Sequence, residues 1–173
     1  MDLRSIQKPL KQAYREDGNQ AKITIVAKGS QTGAGPISCS VDLGRAIYEA
    51  QAHSGVGGAG TGACSGDLLL GALAACKQIT IQMVATAMGL PVTNVNVTVE
   101  GDLDLRGTLG IDKEAPVGFS AIREEIQVDG DLTDEQLASL REKADKYCVV
   151  MQTLITPPPI TSNWNAAAAG GEA

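Results

Sequence analysis

The segment GDLLLGALAAC, residues 66–76, is an apolar run that follows a glycine-rich loop and ends at Cys76. Apolar residues continue in steps of three and four as far as Met88, which predicts a buried helix over about residues 67–88. Gly89 and Pro91 end this helix. Its predicted inner face consists of Leu69, Leu73, Cys76, Thr80, Met83 and Ala87, widened by Leu70, Ile79 and Val84.

The residues before this helix predict one helix and three strands. Apolar residues recur at helical spacing within residues 1–15, and residues 23–27 alternate apolar and polar side chains as a strand does. Two further strands are predicted over residues 37–43 and 45–52. The glycine-rich residues 55–66 are interpreted as a flexible loop that leads into the central helix.

The residues after the helix contain the clearest strand pattern. Residues 95–105 alternate apolar and polar side chains, and residues 122–128 predict their antiparallel partner. Thr133 begins a second long helix, with a capping box completed by Gln136. The inner face of that helix is predicted to carry Leu137, Leu140, Ala144, Tyr147 and Cys148.

The order of the elements favours an α+β fold in a single domain over residues 1–164, because strands alternate with buried helices without a regular βαβ pattern. Residues 160–164 predict a short edge strand after three consecutive prolines. The tail of residues 165–173 is rich in alanine and glycine and is predicted to be disordered.

Composition and charge exclude several functional classes. The chain has 173 residues and a net charge of −6, so a nucleic-acid surface, which needs clustered lysine and arginine, is not expected. The charged N-terminus is unlike a signal peptide, and Lys77 interrupts the longest apolar run, so no membrane span is predicted. We therefore expect a cytoplasmic protein whose four cysteines are reduced.

The cysteines are the candidate chemical groups. Any single cysteine is more often a small buried hydrophobe than a reactive group, and this interpretation is kept for Cys39 and Cys64. Cys76 and Cys148 differ, because each lies where the apolar face of a helix meets polar residues. Together they could form a redox pair. His53 is the only histidine and no C-x-x-C pair occurs, so neither a histidine-rich metal site nor a common zinc or thioredoxin motif is expected.

Two motifs resemble the OsmC/Ohr family of bacterial proteins. Residues 66–76 are similar to the central-helix signature of the family, and residues 147–154, YCVVMQTL, are similar to its second-cysteine motif. The resemblance extends over about residues 20–164. It implies an intertwined homodimer in which antiparallel sheets surround two central helices, with active sites at the dimer interface.

The resemblance also implies an activity. Cys76 would attack an organic hydroperoxide, Cys148 would condense with the resulting sulfenic acid, and an external dithiol would reduce the disulfide. No bound cofactor is expected. Gly66 stands where the peroxidase branches carry a glutamate, with Asp67 beside it, and Val149 replaces a frequent proline. Arg45 is the candidate activating arginine, although a solvated strand charge is an equal alternative. For Asp67 the alternative is a helix N-terminal carboxylate.

Two functions are therefore compared. The first is a thiol-dependent hydroperoxide reductase in oxidative-stress defence. It would use Cys76 and Cys148, with Arg45 and Asp67 as further candidates. The second is a non-catalytic protein of the same fold that binds an apolar small molecule at the dimer cleft. The missing glutamate at position 66 motivates this alternative.

Overall fold

The computed structural model describes residues 12, 16, 28–31, 38–42, 47–110 and 112–165, with the backbone alone for residues 28–31, 38–42, 47 and 48. Gln12 and Glu16 are helical, and Gln12 Nε2 donates to Glu16 Oε1 at 3.0 Å. The rest of the predicted helix over residues 1–15 lies outside the described residues. So do the strand predicted from residues 23–27 and the tail beyond residue 165.

The N-terminal sheet has three antiparallel strands in chain order: β1 (Lys28–Gln31), β2 (Ser38–Asp42) and β3 (Ile47–Gln51). The strands predicted over residues 37–43 and 45–52 are thereby confirmed. A short 3₁₀ helix, Ser54–Val56, and a loop follow. The loop returns to the end of β3, where Gln51 N–H donates to the Ala63 carbonyl at 2.9 Å.

The central helix α1 (Ser65–Met88) begins two residues earlier than predicted, because Cys64 and Asp67 form a capping box. The Cys64 N–H donates to Asp67 Oδ2 at 2.8 Å. The helix ends as predicted at Gly89, which adopts a left-handed φ of 69° and donates its N–H to carbonyls of the last turn.

An antiparallel hairpin follows α1. It consists of β4 (Val92–Asp102) and β5 (Ala121–Gly130), with Val97 opposite Ile126. The predicted pairing is confirmed, but the extension of the first strand to residue 105 is wrong. The short helix α2 (Leu105–Thr108) begins there, because the Asp104 carboxylate accepts the Arg106 N–H at 3.0 Å and caps it.

Two helices complete the fold. In α3 (Asp134–Tyr147), Thr133 and Gln136 form the predicted capping box. A short helix that was not predicted, α4 (Val149–Ile155), follows Cys148 directly. The edge strand predicted over residues 160–164 is wrong, because those residues are exposed and pair with no described strand.

The face that α1 buries differs from the predicted one. Its buried residues are Leu73, Lys77, Ile81 and Ala85, at steps of four. Leu69, Met83 and Ala87 were predicted inside but are exposed, as is Ile79. The helix is apolar on nearly every side, so periodicity alone could not select the face on which β4 and α3 pack.

By length and composition alone, α1 could cross a membrane, a test that core helices of soluble proteins also pass. In this structure it packs against β4, α3 and α4. The core between these elements consists of Ile81, Ala85, Val95, Leu140 and Ala144. The inner face predicted for α3 is confirmed at Leu140, Ala144 and Cys148. It is wrong at Leu137 and Tyr147, which are exposed because α3 meets α1 along a narrow strip.

Candidate active site

Cys148 forms the junction between α3 and α4, and its side chain is fully buried. Its N–H donates to the Ala144 carbonyl at 3.0 Å, and its carbonyl accepts the Gln152 N–H at 2.9 Å. Its extended backbone, with φ −73° and ψ 104°, separates the two helices. The thiol is therefore held at a fixed point where one helix ends and the next begins.

Cys76 lies on α1 opposite this junction and is half-buried, and both cysteines are free thiols. Each thiol alters the pKa of the other through a side-chain hydrogen-bond interaction, so the two side chains are close neighbours. Cys76 also accepts hydrogen bonds from the N–H groups of Val149 and Val150 and from the Thr80 hydroxyl. The structure thus brings together the two cysteines that the sequence proposed as a pair.

The two thiols have pKa values displaced in opposite directions. Burial alone raises the pKa of Cys76, but the hydrogen bonds to its sulfur, of which the Val150 N–H is the largest, together hold that pKa below its ordinary value. Burial also raises the pKa of Cys148, and there it prevails over the Met151 N–H and the Lys77 charge. Of the two, Cys76 is therefore the one more readily ionised.

Lys77 lies next to Cys76 in the chain and is 0% exposed. Its Nζ lies 2.7 Å from Asp145 Oδ1, 3.2 Å from Glu124 Oε2 and 2.8 Å from Met151 Sδ. Burial lowers the pKa of Lys77, but the two carboxylates outweigh it and hold the pKa above its ordinary value. The buried ammonium therefore links α1 to β5, α3 and α4.

Sequence reasoning missed this ion-pair cluster. In the sequence, Lys77 is notable only as the charged residue that interrupts the longest apolar run. A signal was nevertheless present, because Lys77 stands midway between Leu73 and Ile81 at steps of four and so shares their buried face. Its carboxylate partners come from distant segments that no local pattern links to it.

The remaining predicted site residues lie elsewhere. Asp67 is in the first turn of α1, roughly 13 Å along the helix from Cys76, and its hydrogen bond from Cys64 N–H lowers the pKa of its carboxyl. This is the geometry of the capping alternative, and a catalytic role for Asp67 stays a prediction. Arg45 lies outside the described residues, so its role also stays a prediction.

Gly66 occupies the position at which the peroxidase branches were expected to carry glutamate. A Cβ at this position would lie 3.3 Å from Phe119 Cζ and 3.5 Å from Cys64 Sγ. A larger side chain would therefore require the Phe119 ring to shift. The local packing fits glycine.

A cavity of about 520 Å³ lies between α1, β5 and α3. Its apolar walls are formed by Ile81, Ile126, Val128, Leu137, Leu140 and Ala144. Glu124, Arg141, Asp145 and Met151 supply its polar or polarizable atoms. Within the described part of the chain, Glu124 Oε1 is buried without a hydrogen-bond partner.

Comparison with known proteins identifies the fold. The family model for OsmC-like proteins matches residues 58–163. The OsmC-like protein from Mycoplasma pneumoniae has a TM-score of 0.64 at 15% identity, over 79% of this chain and 90% of that protein. An organic hydroperoxide resistance protein from Elizabethkingia anophelis has a TM-score of 0.60 at 20% identity, over 76% of this chain and 88% of that protein. A search of curated proteins gave no significant match. The predicted OsmC-like α+β fold is confirmed.

Proposed function

This chain belongs to the OsmC-like protein family, and we propose that it is a thiol-dependent peroxidase that reduces organic hydroperoxides in defence against oxidative stress. The observation that carries the proposal is the contact between the Cys76 and Cys148 thiols, with the Cys76 pKa lowered and the Cys148 pKa raised. A nucleophilic thiolate and a protected resolving thiol need this asymmetry.

In the first step, the Cys76 thiolate attacks the terminal oxygen of the hydroperoxide. The O–O bond breaks, the alkoxide leaves and takes a proton to become an alcohol, and Cys76 becomes a sulfenic acid. The hydrogen bonds to the Cys76 sulfur favour its thiolate and so increase the fraction that can react.

In the second step, Cys148 attacks the sulfenic sulfur as a thiolate. The S–O bond breaks, hydroxide leaves with a proton as water, and the 76–148 disulfide forms. An external dithiol then returns the pair to two thiols by exchange, and the dithiol itself becomes a disulfide. Because each thiol lies close enough to alter the pKa of the other, we expect the second step to need little rearrangement.

We place this chemistry in a homodimer, as the family resemblance implies. Leu69, Ile79 and Met83 form an exposed apolar strip on α1 that a second copy could cover. Arg45 remains the candidate for a guanidinium beside Cys76. A cytoplasmic location would keep the pair reduced between turnovers.

The test is stoichiometric oxidation of the reduced protein with cumene hydroperoxide, followed by mapping of the thiols by mass spectrometry. We expect a 76–148 disulfide in the unaltered protein and none in the Cys76→Ser variant. Cys64→Ser is the matched control and should form the disulfide normally. An unmodified Cys76 after treatment would overturn the proposal.

The second candidate function is non-catalytic binding of an apolar small molecule. The cavity between α1, β5 and α3 favours it, because six of its ten lining residues are aliphatic. Native mass spectrometry of the purified protein distinguishes the two. A bound molecule, together with full cellular function of the Cys76→Ser variant, would favour binding over catalysis.

A further inference from the structure

We propose that Lys77 is a positioning residue for the resolving step: it clamps Cys148 against Cys76, and its charge favours the Cys148 thiolate that attacks the sulfenic acid. This inference rests on the proposed peroxidase function. It concerns a residue outside the two cysteine motifs, and it assigns a chemical purpose to a buried cation that would otherwise be costly to the fold.

The contacts of Lys77 lie on both sides of Cys148 in the chain. Asp145 and Met151 lie three residues before and three residues after Cys148, and both contact Lys77 Nζ, at 2.7 and 2.8 Å. One ammonium therefore holds the last turn of α3 and the first turn of α4 on either side of the resolving cysteine. Since Lys77 adjoins Cys76 on α1, the same contacts fix Cys148 relative to Cys76.

A hydrogen bond also supports the junction between α3 and α4. Gln152 Nε2 donates to the Asp145 carbonyl at 2.9 Å, so α4 is also tied back to the end of α3. The third Lys77 contact, to Glu124 on β5, anchors the ammonium to the sheet. The junction is thus held from α1, β5, α3 and α4 together.

The charge acts on a thiol that otherwise resists ionisation. Burial and the neighbouring Cys76 raise the pKa of Cys148, whereas the Lys77 charge lowers it. Among the described residues, the charged and titratable groups around the junction are Cys76 and Lys77 from α1, Glu124 from β5 and Asp145 from α3, with Arg141 Nε 3.9 Å from Asp145 and the exposed Lys146 and Tyr147 next to Cys148 in the chain. Among these, Lys77 is the cation that acts on Cys148.

The resolving step makes this charge useful. Cys148 must lose a proton before it attacks the Cys76 sulfenic sulfur, and hydroxide then leaves that sulfur and becomes water. Once Cys76 is a neutral sulfenic acid, it no longer opposes a negative charge on Cys148. The ammonium is then free to favour the thiolate at the moment when the disulfide forms.

The test measures disulfide formation after one equivalent of cumene hydroperoxide, in acid-quenched samples analysed by mass spectrometry. In Lys77→Met, we expect sulfenic acid to accumulate and the disulfide to form more slowly at pH 7, because a smaller fraction of Cys148 is ionised without the ammonium. The rate should recover as the pH rises. Oxidation of Cys76 should slow less than disulfide formation, since none of the hydrogen bonds to its sulfur comes from Lys77 itself.

Lys77→Met leaves two partly buried carboxylates without their cation, which can destabilise the protein. A second variant therefore removes one of these charges as well. Lys77→Met with Glu124→Gln removes the cation and the more buried carboxylate; the side chain of Glu124 is 16% exposed and that of Asp145 is 36% exposed. Glu124→Gln alone retains the cation and is therefore the reference for the double variant, which should form the disulfide more slowly than this reference. Lys146→Met removes an exposed cation near Cys148 and should have no effect.

A direct titration separates this inference from the proposed function. In the Cys76→Ser background, labelled-cysteine NMR should show Cys148 ionising at higher pH when Lys77→Met and Glu124→Gln are introduced, compared with Glu124→Gln alone. This readout needs no hydroperoxide. An unchanged titration, or a slowing of the disulfide step by the same factor at every pH, would overturn the role of the charge.

Discussion

Cys64 and Cys148 are both buried cysteines at the N-cap of a helix, but their surroundings differ. Cys64 is held by the Asp67 carboxylate and lies near Gly66 and the Phe119 ring. Cys148 contacts a second thiol and lies within reach of the Lys77 charge. Burial is common to both, so burial does not define the candidate site. The neighbouring thiol and the fixed cation do.

Loss of the resolving thiol is the largest effect that this comparison predicts. An intramolecular partner can be worth an effective concentration of about 10⁵ M or more, so Cys148→Ser should lower the steady-state rate with a dithiol at least about a hundredfold. With excess hydroperoxide, Cys76 should proceed to the sulfinic acid. Coupled turnover assays and mass spectrometry measure both.

Cys64→Ser is the matched control for that variant and should retain the rate. If Cys64→Ser lost activity as fully as Cys148→Ser, the contrast between the two cysteines would be wrong.

A smaller effect is expected at the hydrogen bonds that favour the Cys76 thiolate. Thr80→Val removes one donor, so the pKa of Cys76 should rise and its thiolate fraction at pH 7 should fall. A single hydrogen bond suggests a roughly two- to fivefold slower alkylation by iodoacetamide at pH 7, with the pH midpoint displaced upward.

Thr86→Val provides the control on the same helix, because the Thr86 hydroxyl donates to the Gln82 carbonyl at 2.8 Å, away from the thiols. Equal alkylation profiles for unaltered protein and Thr80→Val would show that the hydroxyl does not act on Cys76.

The comparison of Cys64 with Cys148 also shows which features of the site could be predicted from the sequence. Cys76 and Cys148 were predictable as a pair, because each lies in a motif that its own neighbours define. Thr133 and Gln136 were predictable for the same reason, since a capping box is local. The ion pairs of Lys77 were not, because Glu124 and Asp145 lie 47 and 68 residues away in sequence.

The prediction of the buried face of α1 was wrong for a different physical reason. Aliphatic residues surround most of this helix, so Leu69 and Met83 appear as suitable for the core as Ile81 and Ala85. The partners that pack on it select the face. The helix α4 was not predicted because no glycine or proline marks the break at Cys148 in the sequence.

The smallest effect is expected at the N-terminus of α1, where Cys64 and Asp67 form the capping box. Asp67→Ala should reduce the free energy of unfolding by about 0.5–1 kcal/mol. The Cys64 N–H lowers the pKa of the Asp67 carboxyl in the folded state. This stabilisation is therefore complete above the unfolded pKa of about 4 and is lost as the pH falls through the lower folded value. Urea unfolding should give different free energies of unfolding for the unaltered protein and Asp67→Ala at pH 7, and the two values should become equal in acid. If Asp67 only caps α1, hydroperoxide turnover at pH 7 stays unchanged; a fall in turnover without a change in stability would instead assign Asp67 to the chemistry.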